Sequence, residues 1–122
     1  MNNPTRFECS QPILRVEDMD RSIRFYVEQL GFQNAAWANT DFTSVSRDTA
    51  GIFLSRQTQG RGNAWLWLGV TDVEALHAEY LSRGVAILQP PTEFPWALEM
   101  RIEDPDGNVL RIGSEPRDRS IS

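Results

Sequence analysis

The chain has 122 residues, 40% of them hydrophobic and 24% charged, which favours one soluble domain with a modest core. Its net charge of −5 makes nucleic acid an unfavourable partner, because an acidic surface repels phosphates. The single cysteine, Cys9, excludes an intramolecular disulfide, and we expect it to be buried or half-buried as a small hydrophobic side chain. Residues 1–8 contain no apolar run and no stretch is as long as a membrane span. We therefore expect a cytoplasmic protein that does not bind membranes.

The first half of the chain predicts a strand, a helix and three further strands. Alternation over residues 11–16 predicts the first strand, and Asp18 or Asp20 is a suitable N-cap for a helix that follows. Apolar residues recur at helical spacing as far as Leu30, and Gly31 ends the helix. Three short strands are predicted near residues 34–38, 42–47 and 51–56, with turn-forming residues between them.

The second half repeats this plan. A strand at residues 64–70 precedes a helix that Asp72 caps and Gly84 ends, with Tyr80 and Leu81 among its inward-facing residues. A short strand at 85–88 leads into a proline-rich loop at 89–95, and two last strands at 97–103 and 109–113 flank a turn. The predicted organisation is one domain over residues 1–122: module one at about 9–57, a linker at 57–63, module two at about 64–114 and a flexible tail at 115–122.

The two halves match each other in order. Asp18 corresponds to Asp72, and Tyr26 to Tyr80, both at an offset of 54 residues. The glycines that end the two helices correspond at an offset of 53. Each match alone is weak, but the ordered series of strand, aspartate, helix with tyrosine and glycine predicts an internal duplication.

Two segments resemble a known family. Residues 11–18, with Phe25, Tyr26 and the run 30–32, resemble the first module of the vicinal oxygen chelate proteins, the glyoxalase/bleomycin resistance/dioxygenase group. The sequence DPDGN at 104–108 resembles that family's last hairpin. The resemblance implies an α+β fold in which two βαβββ modules form a curved mixed sheet around a cavity, paired in a homodimer. It leaves function open, since such proteins include lyases, ring-cleaving dioxygenases, antibiotic-modifying transferases and metal-free binding proteins.

The resemblance also implies where metal ligands would lie. The ligand seven positions before each module's aspartate would be Gln11 in module one and Trp65 in module two. On the last strand, Arg111 stands where the resemblance implies a glutamate ligand. A neighbouring strand could give a fourth ligand, but residues 52–54 are wholly apolar. Divalent metals need convergent imidazole, carboxylate or thiolate donors. We therefore expect no metal, no cofactor and no catalytic residue.

Strand alternation predicts which side chains line the cavity. In the fifth strand the leucines pack on the helix, so Trp65 and Trp67 point the other way. The predicted ligand-binding residues are Gln11, Arg15, Trp37, Phe42, Trp65, Trp67, Trp96, Glu99, Arg101 and Arg111. For some of these a structural role is the alternative: packing for Trp37, Phe42 and Trp96, and ion pairs for Arg15 and Arg101.

The leading hypothesis is a metal-free protein that sequesters an antibiotic of the bleomycin type or a similar planar or cationic natural product. A ligand could stack on Trp65 and Trp67, while Glu99 holds a cationic group or neutralises an arginine. The first alternative is a glyoxalase-like lyase, isomerase or transferase that uses Gln11, Glu99 and Arg111, with Glu99 as general base. A second alternative is a sensor or immunity factor for some other planar natural product.

Overall fold

The structure, a computed structural model, describes residues 5–57 and 63–116. Module one contains β1 (Ile13–Arg15), α1 (Met19–Arg24), β2 (Gln33–Asn34), β3 (Phe42–Arg47) and β4 (Ala50–Ser55). Module two contains β5 (Trp65–Gly69), α2 (Val73–Ser82), β6 (Ile87–Glu93), β7 (Leu98–Glu103) and β8 (Val109–Ser114). The predicted α+β fold of two βαβββ modules is confirmed. The predicted linker and tail lie largely outside the described residues.

Each module forms its own four-stranded mixed sheet. The strand orders are β1-β4-β3-β2 and β5-β8-β7-β6, so corresponding strands occupy corresponding places. The first and last strands of each module pair in parallel, and the other pairs are antiparallel. This shared topology is the structural form of the duplication read from the sequence.

The helix-side faces of the two sheets contribute to one hydrophobic core. Alternation decides which strand residues enter it: Leu14 of β1 and Leu54 of β4 are buried, as are Met100 and Ile102 of β7. The cluster also includes Tyr26, Leu30, Val73 and Tyr80 from the helices and helix ends of both modules. Because this core holds the modules together through one face of each sheet, the opposite face of each sheet is left open.

The helices begin at the predicted aspartates, and the first continues beyond α1 as a π-helical turn that ends just before Leu30. The side chain of Asp18 accepts a hydrogen bond from the backbone N–H of Arg21 at 3.1 Å, and Asp72 accepts one from Ala75 at 3.0 Å. Gly31 follows the first helix with φ of +80°, a conformation that glycine adopts without steric cost. No helix within 5–57 or 63–116 combines the length and apolar character that a membrane crossing requires.

The first helix differs from the second by one inserted residue. Five positions separate Tyr26 from Gly31, but four separate Tyr80 from Gly84, which explains why the repeat offset falls from 54 to 53. The helix absorbs the additional residue as a π-helical turn over Phe25–Gln29, in which the N–H of Leu30 bonds to the carbonyl of Phe25.

The β7–β8 turn is built by its own side chains. Asp104 accepts hydrogen bonds from the backbone N–H groups of Asp106 and Asn108, each at 2.9 Å, and Gly107 takes the positive φ of +84°. The hydroxyl of Tyr26 also donates to Asp104 at 2.8 Å. Burial and the neighbouring carboxylate of Asp104 raise the pKa of Tyr26 well above its usual value, so this hydroxyl keeps its proton and remains a donor.

Several local predictions were wrong. The segment predicted as a loop at 89–95 mostly belongs to β6, which runs through Pro90 and Pro91 with register shifts. Strand β6 is an edge strand, where a proline without an N–H can be accommodated. Leu81 is exposed on α2 rather than inward, and Cys9 is exposed in the segment before β1 rather than buried.

Candidate functional site

The open face of the second sheet carries two exposed tryptophans. Leu66 and Leu68 of β5 pack against the core, so the pleat directs Trp65 and Trp67 to the opposite face, with 60% and 48% of their surface exposed. The strand register places Trp67 beside Arg111 of β8. The aromatic rings therefore stand next to charged side chains of the neighbouring strands.

A buried carboxylate organises these charges. The side chain of Glu99 is fully buried, and its Oε2 atom accepts from Nε of Arg101 and from Nε of Arg111, both at 2.8 Å. Its Oε1 atom accepts from Nη2 of Arg111 at 2.9 Å and from Nε1 of Trp96 at 3.1 Å. Hydrogen bonds from Arg111 are the largest cause that lowers the pKa of Glu99 to about 2. Glu99 is therefore a weak base with both oxygens already engaged.

Each arginine of this network also lies over an indole. The guanidinium carbon of Arg101 is 5.5 Å from the ring centroid of Trp65, and that of Arg111 is 5.8 Å from the ring centroid of Trp67. Such cation–π contacts contribute roughly 0.5–1 kcal/mol at exposed sites. Glu99 thus orients the arginines, and the arginines restrain the tryptophans, even though the rings remain exposed.

One glycine provides space for Trp67, and a second lies at ordinary contact distance from it. A Cβ atom on Gly113 would lie 2.5 Å from Cη2 of Trp67 and 3.1 Å from the carbonyl oxygen of Leu98. A Cβ atom on Gly69, the register partner of Gly113, would lie 3.4 Å from Nε1 of Trp67. The indole therefore lies against the sheet. Sequence reasoning missed both glycines, although a glycine inside a predicted strand is a signal of close approach.

Two aromatic groups flank the sheets. Trp96 stacks on Phe94 with ring centroids 4.8 Å apart and an interplanar angle of 8°, in the turn between β6 and β7. On the open face of the first sheet, Phe42 stacks between Trp37 at 6.0 Å and Phe53 at 5.2 Å. Trp37 and Trp96 remain more than half exposed, so packing alone does not account for their surfaces.

The structure divides the ten predicted ligand-binding residues between the two open faces. Gln11, Arg15, Trp37 and Phe42 belong to module one, while Trp65, Trp67, Trp96, Glu99, Arg101 and Arg111 belong to module two. The ion pair predicted for Arg101 is present. Arg15 has no ion-pair partner within the described ranges, and its Nη1 donates to the carbonyl of Val16.

A separate cavity of about 550 Å³ lies between the β3–β4 turn and α2. At the corresponding place in module one, Asp106 of the β7–β8 turn accepts hydrogen bonds from the backbone N–H of Glu17 and the side chains of Arg21 and Ser22. At the repeat offset of 54, residues 71, 75 and 76 of module two correspond to Glu17, Arg21 and Ser22. Residues 71, 75 and 76 all line the cavity. The cavity is therefore the unfilled counterpart of a groove that module one fills with the chain's own turn.

Comparison with known proteins identifies the family. A sequence model described as the Glyoxalase/Bleomycin resistance protein/Dioxygenase superfamily matches residues 8–112. The chain belongs to this superfamily. A lactoylglutathione lyase of Oryza sativa subsp. japonica is 31% identical over 126 residues, covering 85% of this chain and 43% of that protein. The chain thus spans less than half the length of that relative.

Solved structures of the superfamily are similar over nearly the whole chain. The antibiotic-binding protein TnmS3 from Streptomyces sp. CB03234 is 28% identical with a TM-score of 0.76, and 91% of this chain and 98% of that one are covered. The bleomycin-binding protein of Streptomyces verticillus, solved with copper(II)-bleomycin, is 27% identical with a TM-score of 0.76, and 90% and 98% are covered.

The positions at which the superfamily resemblance implies metal ligands do not suit a divalent ion. The amide of Gln11 lies over Gly51 on the first sheet, whereas Trp65 and Arg111 lie on the second. An indole N–H offers no lone pair to a metal, and a guanidinium is itself a cation. In the part of the chain that the structure describes, no three His, Cys, Asp or Glu side chains converge as ligands.

Proposed function

We propose that this protein binds a small molecule with a planar group, such as an antibiotic of the bleomycin type or a similar natural product, and sequesters it without altering it. The observation that carries the proposal is the pair of exposed indoles, Trp65 and Trp67, which the arginines and Gly113 hold against one face of a sheet. Exposed aromatic surface that is held in place supports ligand stacking, because little side-chain entropy remains to be lost on binding.

Similarity to two antibiotic-binding proteins supports the same proposal. One is described as an antibiotic-binding protein and the other as a bleomycin-binding protein, and both are similar over about nine-tenths of this chain. We further propose a homodimer in which the open sheet of one module is covered by the partner, because both open faces carry large exposed aromatic groups. The single cysteine fits the cytoplasm, which we keep as the proposed location.

The alternative is a lyase of the same superfamily, favoured by the 31% identity to a lactoylglutathione lyase. Its weakness lies in Glu99, the only carboxylate among the predicted site residues. A carboxylate with a pKa of about 2 and both oxygens bonded to arginines or Trp96 is poorly suited to remove a proton near neutral pH. Formation or consumption of lactoylglutathione by the purified protein would revive this alternative.

The decisive experiment is a tryptophan-fluorescence titration with metal-free bleomycin and with a neutral planar compound such as 2-methylanthraquinone. We expect saturable quenching by at least one of them. A Trp65→Ala, Trp67→Ala double variant should bind roughly 5- to 150-fold more weakly, since each stacking contact contributes roughly 0.5–1.5 kcal/mol.

The control is Trp37→Ala, which removes an exposed tryptophan from the turn between β2 and β3, beside the first sheet. Its loss should reduce total fluorescence without abolishing binding. The proposal fails if neither compound gives a saturable signal, or if the double variant binds as tightly as the parent protein. Light scattering at micromolar concentration tests the dimer separately, and a monomer there would contradict it.

A further inference from the structure

The open face of the second sheet, which carries Trp65 and Trp67, is not acidic like the whole protein. Among the described strand residues, alternation places Arg101 and Arg111 on this face together with Glu99 and Glu103. These two arginines and two glutamates cancel, although the chain as a whole carries −5. The acidic surplus therefore lies elsewhere on the molecule.

Glu99 is not available to a cationic ligand. It is fully buried, and both of its oxygens accept hydrogen bonds from Arg101, Arg111 and Trp96. A cation could reach this carboxylate only by displacing a guanidinium, which would leave that arginine without its partner. Glu103 on the same face is exposed at the end of β7, where water weakens its attraction for a ligand cation.

The arginines, in contrast, keep donors for an anion. Arg101 uses its Nε toward Glu99, and Arg111 uses its Nε and Nη2. Within the described residues, neither Nη group of Arg101 nor the Nη1 group of Arg111 has a hydrogen-bond partner. The two side chains are 28% and 33% exposed, so a ligand can reach these groups.

We infer that the ligand stacked on Trp65 and Trp67 carries an anionic group, a carboxylate, sulfonate or phosphate, that binds the free guanidinium donors of Arg101 and Arg111. This inference rests on the proposed function and specifies its ligand class. Charge-assisted hydrogen bonds from a guanidinium to such oxygens are stronger than those between neutral groups. The overall charge of −5 opposes binding weakly, because charges beyond about 8 Å are largely screened at physiological salt.

The test compares three anthraquinones that share one planar body: the 2-sulfonate, the neutral 2-methyl compound and a 2-trimethylammoniomethyl cation. Binding is measured by tryptophan quenching and by calorimetry. We expect the sulfonate to bind at least about tenfold more tightly than the neutral compound, and the cation no more tightly than the neutral one. The advantage of the sulfonate should shrink as sodium chloride is raised.

Variants of Arg101 separate its role in recognition from a structural one. Arg101→Gln should lower the ratio of the sulfonate's affinity to the neutral compound's affinity, because only the sulfonate uses the lost guanidinium donors, whereas both compounds share the loss of its contact with Trp65. Arg101→Lys retains a charge and should restore part of the preference. Thermal unfolding of each variant checks that it is folded, and the ratio of the two affinities remains informative if overall stability falls.

The outcomes distinguish an error in the ligand's charge from an error in the stacking site itself. If the neutral or cationic compound binds as tightly as the sulfonate, the anionic ligand class is wrong and the stacking site stands. If Arg101→Gln leaves the preference intact, the assignment of Arg101 is wrong. If none of the three anthraquinones binds, this inference fails, and the proposed function fails with it if metal-free bleomycin also gives no saturable signal.

Discussion

Replacing Glu99 by glutamine tests the ionic network at the centre of the site. The pKa of Glu99 is lowered from 4.5 to about 2, which corresponds to at most about 3 kcal/mol of stability. Arg101 and Arg111 are partly exposed, and solvent screening reduces this figure to about 2 kcal/mol. We expect Glu99→Gln to be destabilised by about that amount at pH 7.

The pH dependence of this loss is more diagnostic than its size. The folded-state pKa of Glu99 lies below its unfolded value, so its contribution is fully present above pH 4.5 and is lost as the pH falls toward 2. The part of the gap in unfolding free energy between the parent protein and Glu99→Gln that comes from ionisation should therefore shrink by more than half between pH 7 and pH 3. In the variant, the side-chain amide nitrogen of the new glutamine faces the arginine donors, and this lowers the free energy of unfolding by an amount that does not depend on pH.

Urea unfolding followed by far-ultraviolet circular dichroism at several pH values between 3 and 7 measures this gap. Glu103→Gln is the matched control, because Glu103 lies four residues further along the same strand, on the same face, but is exposed. It should change stability by less than about 0.5 kcal/mol. A gap for Glu99→Gln that is the same at pH 3 and pH 7 would refute the idea that the arginines hold the carboxylate ionised.

Two further substitutions test the packing. Gly113→Ala should displace the Trp67 indole and weaken binding of the stacked ligand about tenfold or more, whereas Gly69→Ala, with its Cβ at an ordinary contact distance, should stay within about twofold. Equal effects in the titration would contradict this account of Trp67. Tyr26→Phe should cost about 1–2 kcal/mol in urea unfolding, because it leaves the buried Asp104 with one donor fewer. A loss below about 0.5 kcal/mol would count against that hydrogen bond.

The architecture could be predicted from the sequence because its signals are local and repeated. Along most of β5, β7 and β8, every second side chain is apolar and faces the core, so the remaining side chains are assigned to the open face. Asp18 and Asp72 cap their helices through contacts three residues away, so each cap needs no distant part of the chain. The change of repeat offset from 54 to 53 was also visible, but the π-helical turn that absorbs it was not predicted.

The sequence by itself therefore determined the two modules, the order of their elements and the face on which Trp65 and Trp67 lie, because these depend on periodicity and short-range capping. Only the tertiary structure decided how Glu99 is used, since its arginine partner Arg111 lies on a different strand and the pairing depends on register. It likewise decided that Gly113 lies beneath Trp67. Contacts between strands that are distant in sequence depend on distances that no local pattern encodes. Because of those contacts, Glu99, a candidate base in the sequence, is an ion-paired structural carboxylate in the fold.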